Sequence, residues 1–207
     1  MIKKPSFDLE KELREKNFDF VFGMDEVGRG SFAGPLVAAA VAFEKEFPSW
    51  FKELNDSKLL SANKRERLSK LILKHAKSFI EIIEVETINK IGIEKCNKLI
   101  FERLIKKILS EHKTKSIHFL IDGNKKKIKR KNLSFIVKGD SKVISIAAAS
   151  IIAKVYRDKL MKDLGEIYKG YNFSKNKGYG TKFHQEAIKK IGLCPIHRKS
   201  FNLNKFI

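Results

Sequence analysis

Cysteine is scarce in this 207-residue chain: only Cys96 and Cys194 occur, with no Cys-x-x-Cys pair. That excludes a cysteine-based zinc site and suits a reducing, cytoplasmic setting. Each thiol is expected to be a small packing residue rather than a reactive group. Long hydrophobic runs are missing as well. The longest, Phe32 to Phe43, is interrupted at Gly34-Pro35 and falls well short of the ~20 residues a membrane-spanning helix needs. The N-terminal stretch MIKKPSFDLEKELREK has no apolar core of the secretory kind. No unit of roughly 20–50 residues repeats, and no Pro/Ser/Gly-rich linker separates two halves.

Acidic residues are also in deficit. Against 44 Lys+Arg there are 24 Asp+Glu, leaving a formal net charge of +20. So basic a chain calls for a polyanionic partner, nucleic acid or an anionic membrane surface. Without an apolar span, the membrane reading weakens and nucleic acid is favoured. A lysine-rich proteome would inflate the same figure. At 43% hydrophobic and 33% charged residues, the composition is that of a soluble globular chain and excludes disorder as the dominant state. A chain of this length buries enough surface to fold without a disulfide or metal staple.

Charged residues at 8–16 predict a short solvated helix. Phe18, Phe20, Phe22 and Met24 then alternate with Asp19, Val21, Gly23 and Asp25, the spacing of a strand that ends in Asp25-Glu26 and breaks at Gly28-Arg29-Gly30. Leu36 to Phe43 reads as a buried second strand. Residues 62–77 place Leu68, Leu71, Ile72 and His75 on one helical stripe. Phe79 to Thr87 alternates as a third strand. From 91 to 112, Ile93, Cys96, Ile100, Leu104 and Ile108 recur at three- and four-residue steps, a long amphipathic helix. Strands follow at SIHFLID, ending in Asp122-Gly123, and at LSFIVK, ending in Gly139-Asp140, with the basic loop KKKIKRKN at 125–132 between them. Residues 143–165 predict a buried helix, although their Ile/Val content would also permit a strand. A Gly/Tyr loop then leads to a helix near 182–191. The order predicts an α/β fold with a mixed sheet and a helical C-terminal part.

Three strand ends or loop starts carry carboxylates: Asp25-Glu26, Asp122 and Asp140. Strand ends are where open α/β sheets present functional groups. Four acids brought together would repel and raise one another's pKa unless cations neutralised them. Such hard oxygen ligands suit Mg²⁺ or Mn²⁺, and two ions about 3.5–4 Å apart clamp a phosphodiester for in-line attack. Sequence distance does not establish convergence, and Asp122-Gly123 and Asp140-Ser141 are equally good turn or cap chemistry. A competing signal, Gly28-Arg29-Gly30-Ser31-Phe32-Ala33, fits the dinucleotide-binding pattern. It lacks the helix that motif needs, because Gly34-Pro35 and the apolar run after it predict another strand.

The segments MDEVGRGSFAGPLVAAAV, NDSKLLS, LIDGN, VKGDSKVISIAAASIIAKVYRD, NKGYGTKFH and HRKSF occur in the order found in ribonuclease HII, and the chain resembles that family from about residue 20 to its end. Val27 stands where alanine is also common. The resemblance implies a ribonuclease H-like fold: a five-stranded mixed sheet with its first three strands antiparallel, flanked by helices, plus a C-terminal helical extension. Residues 1–207 would form one catalytic domain, with a core at about 18–165 and the helical part at about 166–207. The implied activity is cleavage of the RNA strand of RNA–DNA hybrids, and of duplex DNA on the 5′ side of an embedded ribonucleotide, leaving 3′-hydroxyl and 5′-phosphate ends. Asp25, Glu26, Asp122 and Asp140 would be the catalytic, metal-binding acids for two Mg²⁺ or Mn²⁺ ions, with Asp25 bridging. One ion would activate the attacking water and the other would stabilise the leaving oxygen.

Reading a ribonucleotide means reading its 2′-hydroxyl. The resemblance assigns this to Gly28, Arg29, Gly30 and Tyr179, while Ser57, Lys58 and Lys154 would contact phosphates. Tyr171 is expected to be structural, Asp158 to pair with Lys154 along a helix, and His184 and His197 to pack or hydrogen-bond. The basic loop would extend duplex contact or remain a solvated lysine run. A monomer is expected. The tail FNLNKFI would either reach a sliding clamp or pack its Phe and Leu on the domain. Two other readings are a ribonuclease HIII-like enzyme and a duplex-binding module without catalysis. An added N-terminal domain and the missing tyrosine of the former speak against it, as the four retained acids speak against the latter.

Overall fold

A computed structural model describes residues 4–44, 49–113, 115–124, 128 and 130–203. Five strands form one sheet: β1 (Phe20–Val27), β2 (Leu36–Phe43), β3 (Ala76–Ile83), β4 (Ile117–Asp122) and β5 (Leu133–Ile136), in the order β3-β2-β1-β4-β5. β1 pairs antiparallel with β2 and β2 with β3, whereas β1–β4 and β4–β5 are parallel. The α/β, mixed-sheet expectation therefore holds, including the antiparallel first three strands. Helices are α1 (Asp8–Glu15), α2 (Ala62–His75), α3 (Val85–Ile91), α4 (Ile93–Glu111), α5 (Ile144–Ile167), α6 (Phe173–Asn176) and α7 (Lys182–Ile191).

β2 is buried along its whole length because helices cover both of its faces, the condition under which a strand reads as a continuous apolar run. Phe22, Met24, Ala38 and Ala40 face α4, which contributes Cys96, Ile100, Leu104 and Ile108. Val37, Ala39 and Val41 face α5 and α2, where Ala147–Ala149, Leu68 and Ile72 close the other core. Small side chains bring α5 close: a Cβ on Gly23 of β1 would lie 2.2 Å from the Ser145 carbonyl carbon, so any larger residue would push the helix away. The start of α5 is capped from outside the core. Glu10 of α1 is buried, and its Oε1 accepts the Ser145 N–H at 2.9 Å. Burial raises this carboxyl's pKa, and the hydrogen bond from the Ser145 N–H partly offsets that.

Three expectations need correction. The third strand spans Ala76–Ile83, not 79–87, and 85–91 is the helix α3. α2 runs into β3 without a loop, and the apolar residues of a short amphipathic helix imitate strand alternation. His75 is exposed, and Ser69 is buried beside Leu68 and Ile72 instead. The Gly/Tyr loop contains the short α6. α5 is helical throughout, which removes the strand alternative for its first half.

Candidate active site

β1 and β4 are parallel and paired up to Met24 and Ile121, so the next residues, Asp25 within β1 and Asp122 at the end of β4, lie side by side where the two strands part. The 3-10 turn Gly139–Ser141 follows β5 and is tied to this edge by the Gly139 N–H, which donates to Asp122 Oδ1 at 2.6 Å. That turn carries Asp140. Asp25 Oδ1 accepts the N–H of Glu26 at 2.8 Å.

The electrostatics record the crowding. Burial pushes the Asp25 carboxyl well above the usual range, and the charges of Glu26, Asp122 and Asp140 push in the same direction. Burial also raises Asp140, reinforced by Asp56 and Asp122 and opposed by Lys58. Lys58 answers to the same field. Burial pulls its ammonium down, but Asp56, Asp140, Asp25 and Asp122 outweigh that and hold it above its ordinary value. Glu26, Asp122 and Asp140 thus all act on Asp25, and Asp122 acts on Asp140 as well. Among the described residues, no group of three or more His, Cys, Asp or Glu side chains forms a ready-made metal cage. The donor set nonetheless fits a hard divalent cation: every donor is a carboxylate oxygen, and a charge of opposite sign is what the raised carboxyls lack.

The Gly28-Arg29-Gly30 turn follows β1 directly. Gly28 has φ +89° and lies against Arg157, whose Nε would sit 2.2 Å from a Cβ there, whereas a Cβ on Gly30 would meet nothing within 4 Å. The Arg29 side chain reaches α4 and pairs with Glu94 at 2.5 Å. Asp56 caps the 3-10 turn Ser57–Leu59 by accepting the Lys58 N–H at 2.9 Å. Ser57 is buried, and its carbonyl accepts Arg65 Nη1 at 2.9 Å. Lys154 Nζ bonds Asp158 at 2.8 Å, as the helical spacing predicts, and Asp158 also lies 3.9 Å from Arg65. The Tyr179 ring has Lys154 Nζ 5.9 Å and the Arg157 guanidinium 5.5 Å from its centroid. Tyr171 is a packing residue, stacked on Phe173 at 5.2 Å with its hydroxyl donating to the Gly192 carbonyl.

Sequence reasoning missed two features here. Asp56, one residue before the predicted Ser57, is a strong neighbour of Asp140; its place in the DSK segment was the available signal. Arg157 and Arg198 are completely buried, and a lysine- and arginine-rich sequence gives no sign of that. Instead of carboxylates, both bind backbone carbonyls. Arg157 reaches Pro35, Lys177 and Ala33, and Arg198 reaches Gly34 and Arg29. Together they lock the glycine turn to the Tyr179 loop. Residues 125–127 and 129 of the basic run lie outside the described residues, as do tail residues 204–207. Phe201 lies under the Arg198 guanidinium at 5.4 Å and Leu203 is buried, so that part of the tail packs on the body.

The family model described as Ribonuclease HII matches residues 22–204. A Ribonuclease HII of Caldanaerobacter subterraneus subsp. tengcongensis is 47% identical over 193 residues, covering 93% of this chain and 78% of that protein. The ribonuclease HII of Archaeoglobus fulgidus, solved in complex with PCNA, superposes with a TM-score of 0.70 at 25% identity over 88% of this chain and 93% of that one. A Bst-RNase HIII solved with Mn²⁺ superposes with a TM-score of 0.72 at 22% identity, over 90% of this chain and 68% of that one, a likeness of fold.

Proposed function

The chain belongs to the ribonuclease HII family and is a hydrolase of the ribonuclease H class, and from that premise we propose that it cuts the RNA strand of RNA–DNA hybrids and nicks duplex DNA on the 5′ side of an embedded ribonucleotide. The observation that carries this reading is the convergence of carboxylates on a buried Asp25: parallel β1 and β4 set it beside Asp122, the Gly139 N–H ties the turn that carries Asp140 to Asp122, and the charges of Glu26, Asp122 and Asp140 all act on Asp25. Four acids beside a polyanionic substrate weaken binding unless cations compensate them. Asp25, Glu26, Asp122 and Asp140 would hold two Mg²⁺ or Mn²⁺ ions, which when bound lower the pKa of an attacking water and stabilise the 3′-oxygen leaving group. The products would carry 3′-hydroxyl and 5′-phosphate ends.

The chain's own groups do the selecting. The backbone of Gly28, Arg29 and Gly30 and the side chain of Tyr179 would meet the 2′-hydroxyl, the group that separates RNA from DNA. The open space at Gly30 supports close approach of a sugar there. Ser57, Lys58 and Lys154 would place the phosphates flanking the cut; the ammonium groups supply the charge, and the buried Ser57 turn fixes where Lys58 starts. The helical C-terminal part belongs to the same catalytic unit, because it carries Tyr179. The enzyme would work as a monomer in the cytoplasm. No described helix is long and apolar enough to cross a membrane. A sliding-clamp contact through the tail would fall to residues 204–207, since Phe201 and Leu203 are engaged with the body.

The test is a strand-labelled RNA–DNA hybrid beside an all-DNA duplex of the same sequence, each incubated with Mg²⁺, Mn²⁺ or a chelator. Cleavage restricted to the RNA strand and dependent on the cation is expected. Cleavage that persists in chelator, or that affects both duplexes equally, overturns the reading.

A further inference from the structure

Two buried histidines lie behind the Tyr179 loop with no role in the chemistry above. His184 and His197 are both fully buried, and their Nε2 atoms are 3.0 Å apart. The chain of partners fixes each tautomer. The Cys194 N–H can only donate, and it points at His197 Nδ1 at 2.9 Å, so that nitrogen carries the lone pair and the proton sits on Nε2. The Cys194 Sγ, 3.1 Å from the same nitrogen, can add its S–H as a second donor to that lone pair, and the Cys194 carbonyl, 3.2 Å away, accepts the backbone N–H of His197 at 3.0 Å. His197 Nε2–H therefore donates to His184 Nε2, which leaves the His184 proton on Nδ1. That proton meets the Tyr179 carbonyl at 2.9 Å. The result is one directed relay, from Cys194 through His197 and His184 to the backbone of Tyr179. Tyr171 and Phe173 wall it in, with ring centroids 4.9 Å from His197 and 5.3 Å from His184.

The residue after His197 holds the other half of the sugar-reading surface. Arg198 Nη1 donates to the Arg29 carbonyl at 2.9 Å, and its Nε and Nη2 donate to the Gly34 carbonyl. The Gly178 carbonyl, one residue before Tyr179, accepts the Phe32 N–H at 2.8 Å. Consecutive side chains of one segment thus tie the Tyr179 loop and the glycine turn to a common support. We propose that His184 and His197 are positioning residues that set Tyr179 against the Gly28–Gly30 turn, and so govern selection of a single ribonucleotide without taking part in phosphodiester hydrolysis. This rests on the reading that Tyr179 meets the substrate sugar.

A long hybrid offers many registers and tolerates a misplaced tyrosine better than a duplex with one ribonucleotide. The readout is therefore the ratio of kcat/KM on a single-ribonucleotide duplex to that on a long RNA–DNA hybrid, a ratio that general loss of folded protein leaves unchanged. His184→Leu and His197→Phe should lower it roughly tenfold or more, the scale expected when a substrate-positioning group shifts by about 1 Å. His184→Asn, whose amide nitrogen stands where Nδ1 stood, should lower it less than His184→Leu. Tyr179→Ala is the reference. If it lowers the ratio and the histidine variants do not, the inference is overturned; if Tyr179→Ala also leaves the ratio unchanged, the reading of Tyr179 fails first. Should the variants not fold, long-range ¹⁵N–¹H NMR of the unaltered protein decides. The inference requires Nδ1–H on His184 and Nε2–H on His197, and the opposite tautomers overturn it.

Discussion

Replacing Gly30 by alanine should separate stability from activity in opposite directions. A Cβ at this position meets no heavy atom within 4 Å, and the backbone there is outside the positive-φ region. Nothing inside the protein requires glycine. The substitution removes freedom from the unfolded chain and should stabilise by about 0.4–1 kcal/mol, raising the thermal midpoint by about 1–4 °C for a chain of this size. If the space beside Gly30 is where the sugar comes down, the added methyl displaces the substrate, and kcat/KM on a single-ribonucleotide duplex should fall by roughly 10–100-fold. Gly28→Ala supplies the contrast. At φ +89°, with Arg157 Nε 2.2 Å from the new Cβ, it should lower the midpoint and weaken activity together. Thermal melting and single-turnover kinetics on the same preparations measure both quantities. A Gly30→Ala protein that melts lower than its parent refutes the reading of that space as empty, and one that melts higher and cuts equally well refutes its assignment to the substrate.

Asp25→Asn should abolish cleavage while leaving duplex affinity largely intact, checked by a binding titration in Ca²⁺ or chelator. It should also melt higher than the parent in chelator at neutral pH: the folded-state pKa of Asp25 lies above its unfolded value, so the parent loses stability as pH rises through that folded pKa, and the amide has no such penalty. Burial, aided by the neighbouring His184, pushes the His197 imidazole down to about 4. Between pH 6.5 and 4 the unfolded chain therefore binds the extra proton and stability falls with acidification, by up to about 3 kcal/mol. Melting curves across that window should show this loss in the parent and a smaller one in His197→Phe, where the buried His184 still contributes its own. Duplex binding should weaken with salt by a log–log slope of about −0.9 per neutralised phosphate, and Lys58→Ala should reduce the slope by about one phosphate if that ammonium meets the backbone.

Much of this arrangement is legible in the sequence, because it is written in local pattern. β2 needs only its uninterrupted apolar run, and α7 begins where Thr181 accepts the His184 N–H as an N-cap. Asp25, Asp122 and Asp140 each follow an apolar strand, and parallel pairing of β1 with β4 brings the first two to one edge. What stays hidden depends on partners far along the chain. Arg157 and Arg198 look like two more solvated cations until the carbonyls of residues 29, 33, 34, 35 and 177 surround them. The His184–His197 relay closes only after α7 folds back on the segment that follows it. The end of β3 stays hidden because alternation in 79–87 continues through Glu84 into α3, where hydrogen bonding and not side-chain period decides the structure.

Metal-assisted acids at the sheet edge would cut beside a ribonucleotide that the glycine turn and Tyr179 select. A DNA duplex with one internal ribonucleotide, labelled at the 5′ end and mapped at nucleotide resolution with and without Mg²⁺, tests it most directly. A single metal-dependent nick on the 5′ side of the ribonucleotide is expected, leaving a 3′-hydroxyl that a polymerase extends. No nick, a nick on the 3′ side, or a product with a 3′-phosphate would contradict it.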